Sequence, residues 1–405
     1  MDPNKPLADT FRRMSVTLDQ NSQVLLSSLQ TMKDITGDPT SGFHDIVKAE
    51  KVTVELKCAF LKIVDIDTIT QQFQAEIFVQ AKWEEPAFSK PQGKANKLPK
   101  FDPKIHWDPK LLILNCEDMC LDRKTFSVRH DQNYKHPVVL QLWRFKGTFR
   151  ENMELEHFPF DVQDLTIQVG TERPINKIEL IEDQHMLSTV NTYTFLDAQE
   201  WNIYNHVESF RDKTTMEYAS LSSHPILHVQ CRVKRKVGFY IWNIIVIMIL
   251  IVSLTFTVVS IEPNNGDRIS ICITLFLTAV AFKLVVKQSL PTISYLTYLD
   301  IYILSLLIFL SVQAAENAFM CALGRVLPIK VLRTWDRWSE SALAVLLLLF
   351  HILFGIYIQH TALKRRRIMK DKDKLYEKKK QYTEQYGRMM TNAGFSPGRR
   401  ERRQP

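Results

Sequence analysis

The stretch VGFYIWNIIVIMILIVSLTFTVVSI, from Val237 to Ile261, carries no charged residue and divides the 405-residue chain into two unlike parts. It is long enough to cross a bilayer as a helix, since roughly twenty apolar residues span the hydrocarbon core. A second uncharged stretch runs from Ser341 to Leu363. Between the two lie Ile269 to Val286 and Ile293 to Ala315, interrupted once each by Lys283 and Asp300. One such stretch alone could be the buried helix of a soluble core. Four of them in close succession, after a first half of different pattern, predict four membrane-spanning helices over 237–363.

Upstream, the period changes. VTVELKCAFLKIVDID (Val52 to Asp67) and FQAEIFVQAKW (Phe73 to Trp83) alternate apolar and polar residues as half-buried strands do, and turn-rich segments such as PKFDPKIHWDP (Pro99 to Pro109) separate such runs. Residues 48–236 therefore read as a β-sandwich, joined to the first span by the basic run RVKRK. Residues 1–47 carry Val24, Leu25, Leu29 and Met32 at helical spacing, which predicts a short amphipathic helical extension. The fold class expected is thus a β-sandwich followed by an all-α four-helix transmembrane domain, with a basic tail at 364–405.

Composition excludes more than it names. Cys116 and Cys120, among six cysteines, stand close enough to bond, but free thiols throughout are the simpler reading. With 12 glycines in the whole chain there is little material for a phosphate-cradling loop, and neither a metal cluster nor a nucleophile elbow is present in the sequence. No cofactor, nucleic-acid partner or enzyme activity is expected.

Several motifs follow in order: FVQAKWEE, WDPKLLILN (Trp107 to Asn115), LEHFPFDVQDL (Leu155 to Leu165), EWNIY (Glu200 to Tyr204), KRKVGFYIWN, GDRISICITLFLTAVAF and SLPTISYLTYLD. Together they resemble the pentameric ligand-gated ion channels, or Cys-loop receptors, over roughly residues 48–363. The two loop cysteines of that family are replaced here by Glu151 and Leu165, which implies a loop held by packing alone. The first span has Ile247 in place of the family's proline, so a straighter helix is expected. About twenty residues remain between the third and fourth spans, so the large intracellular domain of animal receptors is missing.

The resemblance implies an extracellular ligand-binding domain, a plasma-membrane location with an intracellular membrane as the alternative, and a homopentamer in the bilayer. Phe158, Pro159 and Phe160 would press on the linker near Pro291, and Asp161 would pair with Arg235 to couple binding to opening. In the pore helix, Asp267, Ser270, Thr274, Leu277, Ala281 and Leu284 recur at steps of three and four residues and share one face. Such a stripe can replace hydration with hydroxyls and stop ions at an apolar ring, which makes Leu277 the expected gate and Asp267 the expected selectivity residue. Lys283 lies off the stripe, at a subunit boundary or snorkelling outward.

The ligand positions implied by the resemblance are Phe78, Leu114, Glu172 and Tyr218. They form a poor aromatic cage, so a primary amine or an amphiphile suits them better than a quaternary ammonium. From Thr361 onward the chain carries 15 Lys and Arg against 5 Asp and Glu, and this tail should extend the last helix a few turns and then fray. Its charge favours the cytoplasm, whereas the family topology puts it outside, and the latter is preferred. The expected function is a ligand-gated channel subunit passing monovalent cations. The alternatives are a non-conducting membrane receptor or accessory subunit, and an anion-selective channel.

Overall fold

Alternation in the first half resolves into strands whose inward residues meet between two sheets. The computed structural model describes residues 50–89, 100–131, 133–214, 222–287 and 293–392. The expected 1–47 extension, Tyr218 and Pro291 lie outside them. Among the described residues the strands are β1 (Val52–Asp67), β2 (Gln72–Glu84), β3 (Leu111–Ile113), β4 (Cys116–Arg129), β5 (Val138–Arg150), β6 (Val162–Thr171), β7 (Ile178–Glu182), β8 (Thr189–Val190), β9 (Trp201–Thr214) and β10 (His224–Arg235). One sheet runs β4-β5-β2-β1-β7 with β8 also on β1, and the other runs β3-β6-β10-β9. Along β1, Val54, Leu56, Cys58 and Phe60 are buried at every second position, as are Ala75, Ile77 and Val79 on β2, and Leu165, Ile167 and Val169 on β6. A one-residue slip would turn each set to solvent, so this pattern fixes the register.

All these strands belong to one compact unit with the helices that follow, while residues 102–107 belong to another and form a turn in which the His106 N–H donates to the Asp102 carbonyl at 2.9 Å. The membrane helices are α1 (Gly238–Ser260), α2 (Asp267–Lys287), α3 (Tyr298–Leu323) and α4 (Ile329–His360), followed by a fifth helix, α5 (Ala362–Asn392). Met248 and Val252 of α1, Ala279 of α2, and Ile303, Leu306 and Leu310 of α3 form the centre of the bundle.

Four expectations change here. The first span is not straightened by Ile247: residues Ile241–Ile245 form a π-helical turn, in which the Val246 N–H reaches the Ile241 carbonyl, and Phe256–Ser260 tighten into a 3-10 turn. A missing proline removes one cause of irregularity, and a π turn supplies another. The third span starts at Tyr298 rather than Ile293, because Thr297 caps it. The Thr297 hydroxyl accepts from the Asp300 N–H at 3.1 Å and the Asp300 carboxylate accepts from the Thr297 N–H at 3.2 Å, so the one acid of this stretch closes a capping box.

The fourth span begins a dozen residues earlier than its apolar run. Asp336 and Glu340 lie in α4 and are buried against Arg268 of α2, which lets a charged segment join the bundle. Finally, the basic tail does not fray after a few turns. The helix breaks at Thr361 and resumes as α5, which lies along β9 and is held there by the contacts described next.

Candidate functional site

The junction between sandwich and bundle is built on the loop that follows β5. Leu155 and Phe158 are buried in the same cluster as Ile244, Met248, Leu299 and Tyr302 of the bundle. The Phe158 ring meets Tyr240 edge-on at 4.7 Å, and His157 stacks on Tyr298 at 5.0 Å. Backbone bonds complete the seam: the Tyr298 N–H donates to Glu156 O at 3.1 Å and the Leu299 N–H to Phe158 O at 3.2 Å, while the Leu155 N–H donates to the Tyr295 hydroxyl at 3.0 Å. Phe160 does not share this surface. Its ring lies under the Arg366 guanidinium of α5, 5.9 Å from centroid to Cζ. The Phe158–Pro159 peptide bond is cis.

Asp161 and Arg235 meet at the top of this seam, both with side chains about 2% exposed or less. Arg235 Nε donates to Asp161 Oδ1 at 3.0 Å and Nη2 to Asp161 Oδ2 at 3.3 Å, and a second ion pair joins Arg235 to Glu200. Trp201 lies beneath the guanidinium at 4.1 Å. Burial works against the charge, yet Asp161 outweighs it and raises the Arg235 pKa above the ordinary arginine value. Loop closure has a further component. Glu151, standing where the family has its first loop cysteine, accepts from the Thr166 N–H at 3.0 Å, next to the fully buried Leu165. The loop is therefore held by a hydrogen bond as well as by packing. Burial pushes the Glu151 carboxyl up to about 7, against the lowering by that bond.

On α2, Asp267, Ser270, Thr274, Leu277, Ala281 and Leu284 are all exposed within this chain, as are Ile273, Thr278 and Val285. Leu277 and Leu284 are each 60% exposed, a costly state for leucine in water and one that suits a pore or a contact with another subunit. Thr274 and Thr278 donate their hydroxyls to the carbonyls of Ser270 and Thr274, both at 2.8 Å. Arg268, next to Asp267, points the other way. It is fully buried and donates from Nη1 to Asp336 at 2.6 Å, with Glu340 at 3.7 Å from Nη2. Asp267 thus stands on the exposed face while Arg268 is paired inside the bundle. Lys283 is half-buried off that face, and Lys287 is exposed at the helix end.

The ligand positions are dispersed. Phe78 is half-buried on β2 opposite Arg144, in one sheet. Leu114 follows β3 in the other and packs against Gly170, where an added Cβ would come within 3.0 Å of its side chain. Glu172 is exposed and 3.8 Å from Lys110, so its carboxylate already has a cation nearby. A cage within one chain is not assembled by these three residues.

Sequence reasoning missed the docking of α5. Arg366 donates to the carbonyls of Phe160 and Arg235, both at 2.9 Å, so the tail grips both the loop that carries Asp161 and the end of β10 that carries Arg235. Farther along, Arg365 pairs with Asp164 at 3.2 Å, Lys372 with Glu208 at 2.7 Å, and Asp373 accepts from the His206 N–H at 2.9 Å. Tyr376 donates to Ser188 O at 2.7 Å, and Met369 is buried with Val162 and Tyr204. A signal was present: Ala362, Arg366, Met369, Asp373 and Tyr376 recur at steps of three and four residues.

Two family models match this chain: the neurotransmitter-gated ion-channel ligand binding domain over residues 42–237 and the neurotransmitter-gated ion-channel transmembrane region over 244–326. Among curated relatives, human neuronal acetylcholine receptor subunit alpha-4 is 23% identical over 309 residues, covering 74% of this chain and 47% of its own. Goldfish (Carassius auratus) neuronal acetylcholine receptor subunit alpha-3 is 24% identical over 289 residues, 67% of this chain and 52% of its own. An acetylcholine receptor subunit alpha-like protein of Manduca sexta is 22% identical over 280 residues, 65% and 53%. The chain spans about half the length of the curated relatives it matches. It belongs to the neurotransmitter-gated ion-channel family, a family of membrane channels and not of enzymes. The sandwich is the extracellular ligand-binding domain, and α5, docked on that sandwich, lies on the same side.

Proposed function

We propose that this chain is a subunit of a homopentameric ligand-gated channel that passes monovalent cations. The exposed face of α2 supports this reading most directly, with Leu277 as gate and Asp267 at the cytoplasmic mouth. Five copies of Asp267 would ring that mouth, and at about 5 Å each carboxylate favours a monovalent cation by roughly 0.8 kcal/mol in water-like dielectric. The burial of Arg268 favours the cation assignment over the anion one, because the nearest basic charge faces away and is paired. Lys287 remains near the outer end, in a wider part of the path, where field strength is lower. Ser270 and Thr274 lie between, able to replace part of an ion's hydration.

The ligand is proposed to sit between neighbouring sandwiches, at Phe78 of one subunit and Leu114, Glu172 and Tyr218 of the next. A primary amine or an amphiphile fits this composition; the named relatives are acetylcholine receptor subunits, whose quaternary ammonium ligand it suits less well. Movement there would reach the bundle through Phe158, Pro159 and Asp161–Arg235, with Pro291 in the receiving linker, and would reach α5 through Phe160. The test is the reversal potential of evoked current as external NaCl is diluted. It should follow the sodium gradient in the parent and shift toward chloride in Asp267→Ala. A parent reversing at the chloride potential overturns cation selectivity; a surface-expressed Leu277→Ser protein that stays silent to amines, amphiphiles and pH steps favours the non-conducting receptor.

A further inference from the structure

At the foot of the sandwich a crevice of about 480 Å3 is lined by six cationic side chains, Lys234, Arg235, Lys236, Arg366, Arg367 and Lys370, and by no acidic one. Three of the six are already engaged: Arg235 by Asp161 and Glu200, Arg366 by backbone carbonyls, and Lys236 by the Ala198 carbonyl at 2.5 Å. Lys234, Arg367 and Lys370 have no carboxylate partner among the described residues. The Lys234 ammonium lies over the Tyr204 ring, 5.2 Å from its centroid, which keeps it in the crevice. Like charges brought together by β10 on one side and α5 on the other repel unless an anion joins them.

The crevice stands at the membrane surface. Its apolar lining includes Val237, immediately before α1, and Leu363, in the first turn of α5 three residues past the end of α4. In the first turns of α1, Phe239 is 65% and Trp242 71% exposed, an aromatic pair of the kind that marks the headgroup level. A soluble anion would gain nothing from Val237 and Leu363, whereas a lipid places its phosphate above them and its chains below.

We propose that this crevice binds the phosphate of an anionic phospholipid from the extracellular leaflet, with Lys234, Arg367 and Lys370 as its ligands. Bound there, the lipid bridges β10 to α5 and clamps the tail helix onto the sandwich beside the Asp161–Arg235 pair. The inference does not depend on conduction or on the identity of the agonist.

The experiment is native mass spectrometry of the full-length protein in detergent, with phosphatidylserine and phosphatidylcholine in competition, and thermal unfolding under the same conditions. The parent should retain one more phosphatidylserine per chain than the triple variant Lys234→Gln, Arg367→Gln, Lys370→Gln. Its preference over phosphatidylcholine should fall at least roughly tenfold in that variant, given about 1 kcal/mol per basic residue near a charged lipid surface. Equal retention by parent and variant overturns the proposal. Stabilisation by millimolar inorganic phosphate equal to that by phosphatidylserine overturns the lipid assignment in favour of a soluble anion. If the triple variant does not fold, Lys370→Glu on the exposed face of α5 is read by the same ratio: a lowered ratio supports the site and an unchanged one overturns it.

Discussion

Arg235 and Arg268 are both buried arginines paired with an aspartate, at opposite ends of the four-helix bundle, and they are satisfied to very different degrees. Arg235 meets Asp161 through two nitrogens and Glu200 through a third, with Trp201 beneath its plane. Arg268 makes one short bond to Asp336, while its Nε and Nη2 have no hydrogen-bond partner, and Glu340 approaches only to 3.7 Å. Around it Gln313 spans from the Thr255 hydroxyl at 2.6 Å to Glu340 at 3.1 Å, so much of the polar contact among these helices bypasses the arginine. A buried ion pair contributes little net stability, but removing one partner leaves the other's charge without compensation. The fully bonded arginine should therefore be the more damaging one to remove.

Arg235→Gln should have the largest effect, roughly 3–5 kcal/mol, because it leaves Asp161 buried without its counter-charge. A fall of many degrees in the thermal unfolding midpoint is the expected readout; a midpoint within a degree of the parent would remove the contrast. Arg268→Gln should cost less, about 2 kcal/mol, since two of its nitrogens lose no hydrogen bond. Adding Asp336→Leu to Arg268→Met sharpens the comparison: the paired apolar replacement should recover most of that loss, as buried pairs replaced together often do. If the double variant is worse than Arg268→Gln, the bundle end depends on the pair.

Glu151 gives a smaller effect with a definite sign. Its carboxyl lies near 7 in the fold against 4.5 ordinarily, so the folded state holds the proton more tightly. Its contribution is fully present below about 4.5 and is lost as pH rises through about 7, by about 1–2 kcal/mol after allowing for solvent screening. Glu151→Gln should flatten that part of the stability profile while leaving the acid side unchanged. The smallest effect belongs to Lys372→Ala. Burial tends to raise the Glu208 pKa, but Lys372 and Arg232 hold it below the ordinary value, so the contribution of Glu208 is present above that value and is lost as pH falls through the depressed one. Without Lys372 that loss should begin at higher pH, and the half-exposed pair should cost under about 1 kcal/mol. A pH scan of the unfolding midpoint in low salt measures both.

The spans and strands were legible because they rest on local pattern. Charge-free runs mark lipid contact, and alternation on β1 and β2 marks an inward face. The Asp161–Arg235 contact was legible only through the family resemblance, as 74 residues separate its members. Three features were hidden by what their residues ordinarily do. Asp300 reads as an interruption of a span, when it caps the helix. Arg268 reads as a neighbour of the pore mouth, and only the position of α4 turns it inward. The α5 stripe alternates arginine, methionine, aspartate and tyrosine, so a search for hydrophobic period passes over it, and basic residues in a tail read as solvated. The expected ligand positions rest on the family resemblance alone, since Phe78 stands on one sheet and Leu114 beside the other, and no local pattern joins them.

The docking of α5 on β9 also sets an order of events during synthesis. His206 finds Asp373 only after another 167 residues have been made, which at 5–20 residues per second is roughly ten to thirty seconds. Once Arg235 has been made the sandwich has all its strands but an unfinished outer wall, and four helices must enter the bilayer before the wall can close. The basic segment that closes it has to be carried across the membrane against the usual preference for positive charge inside. Chains stalled or cut before Ala362 would therefore present a sandwich whose Asp164, His206 and Glu208 lack the partners that α5 supplies.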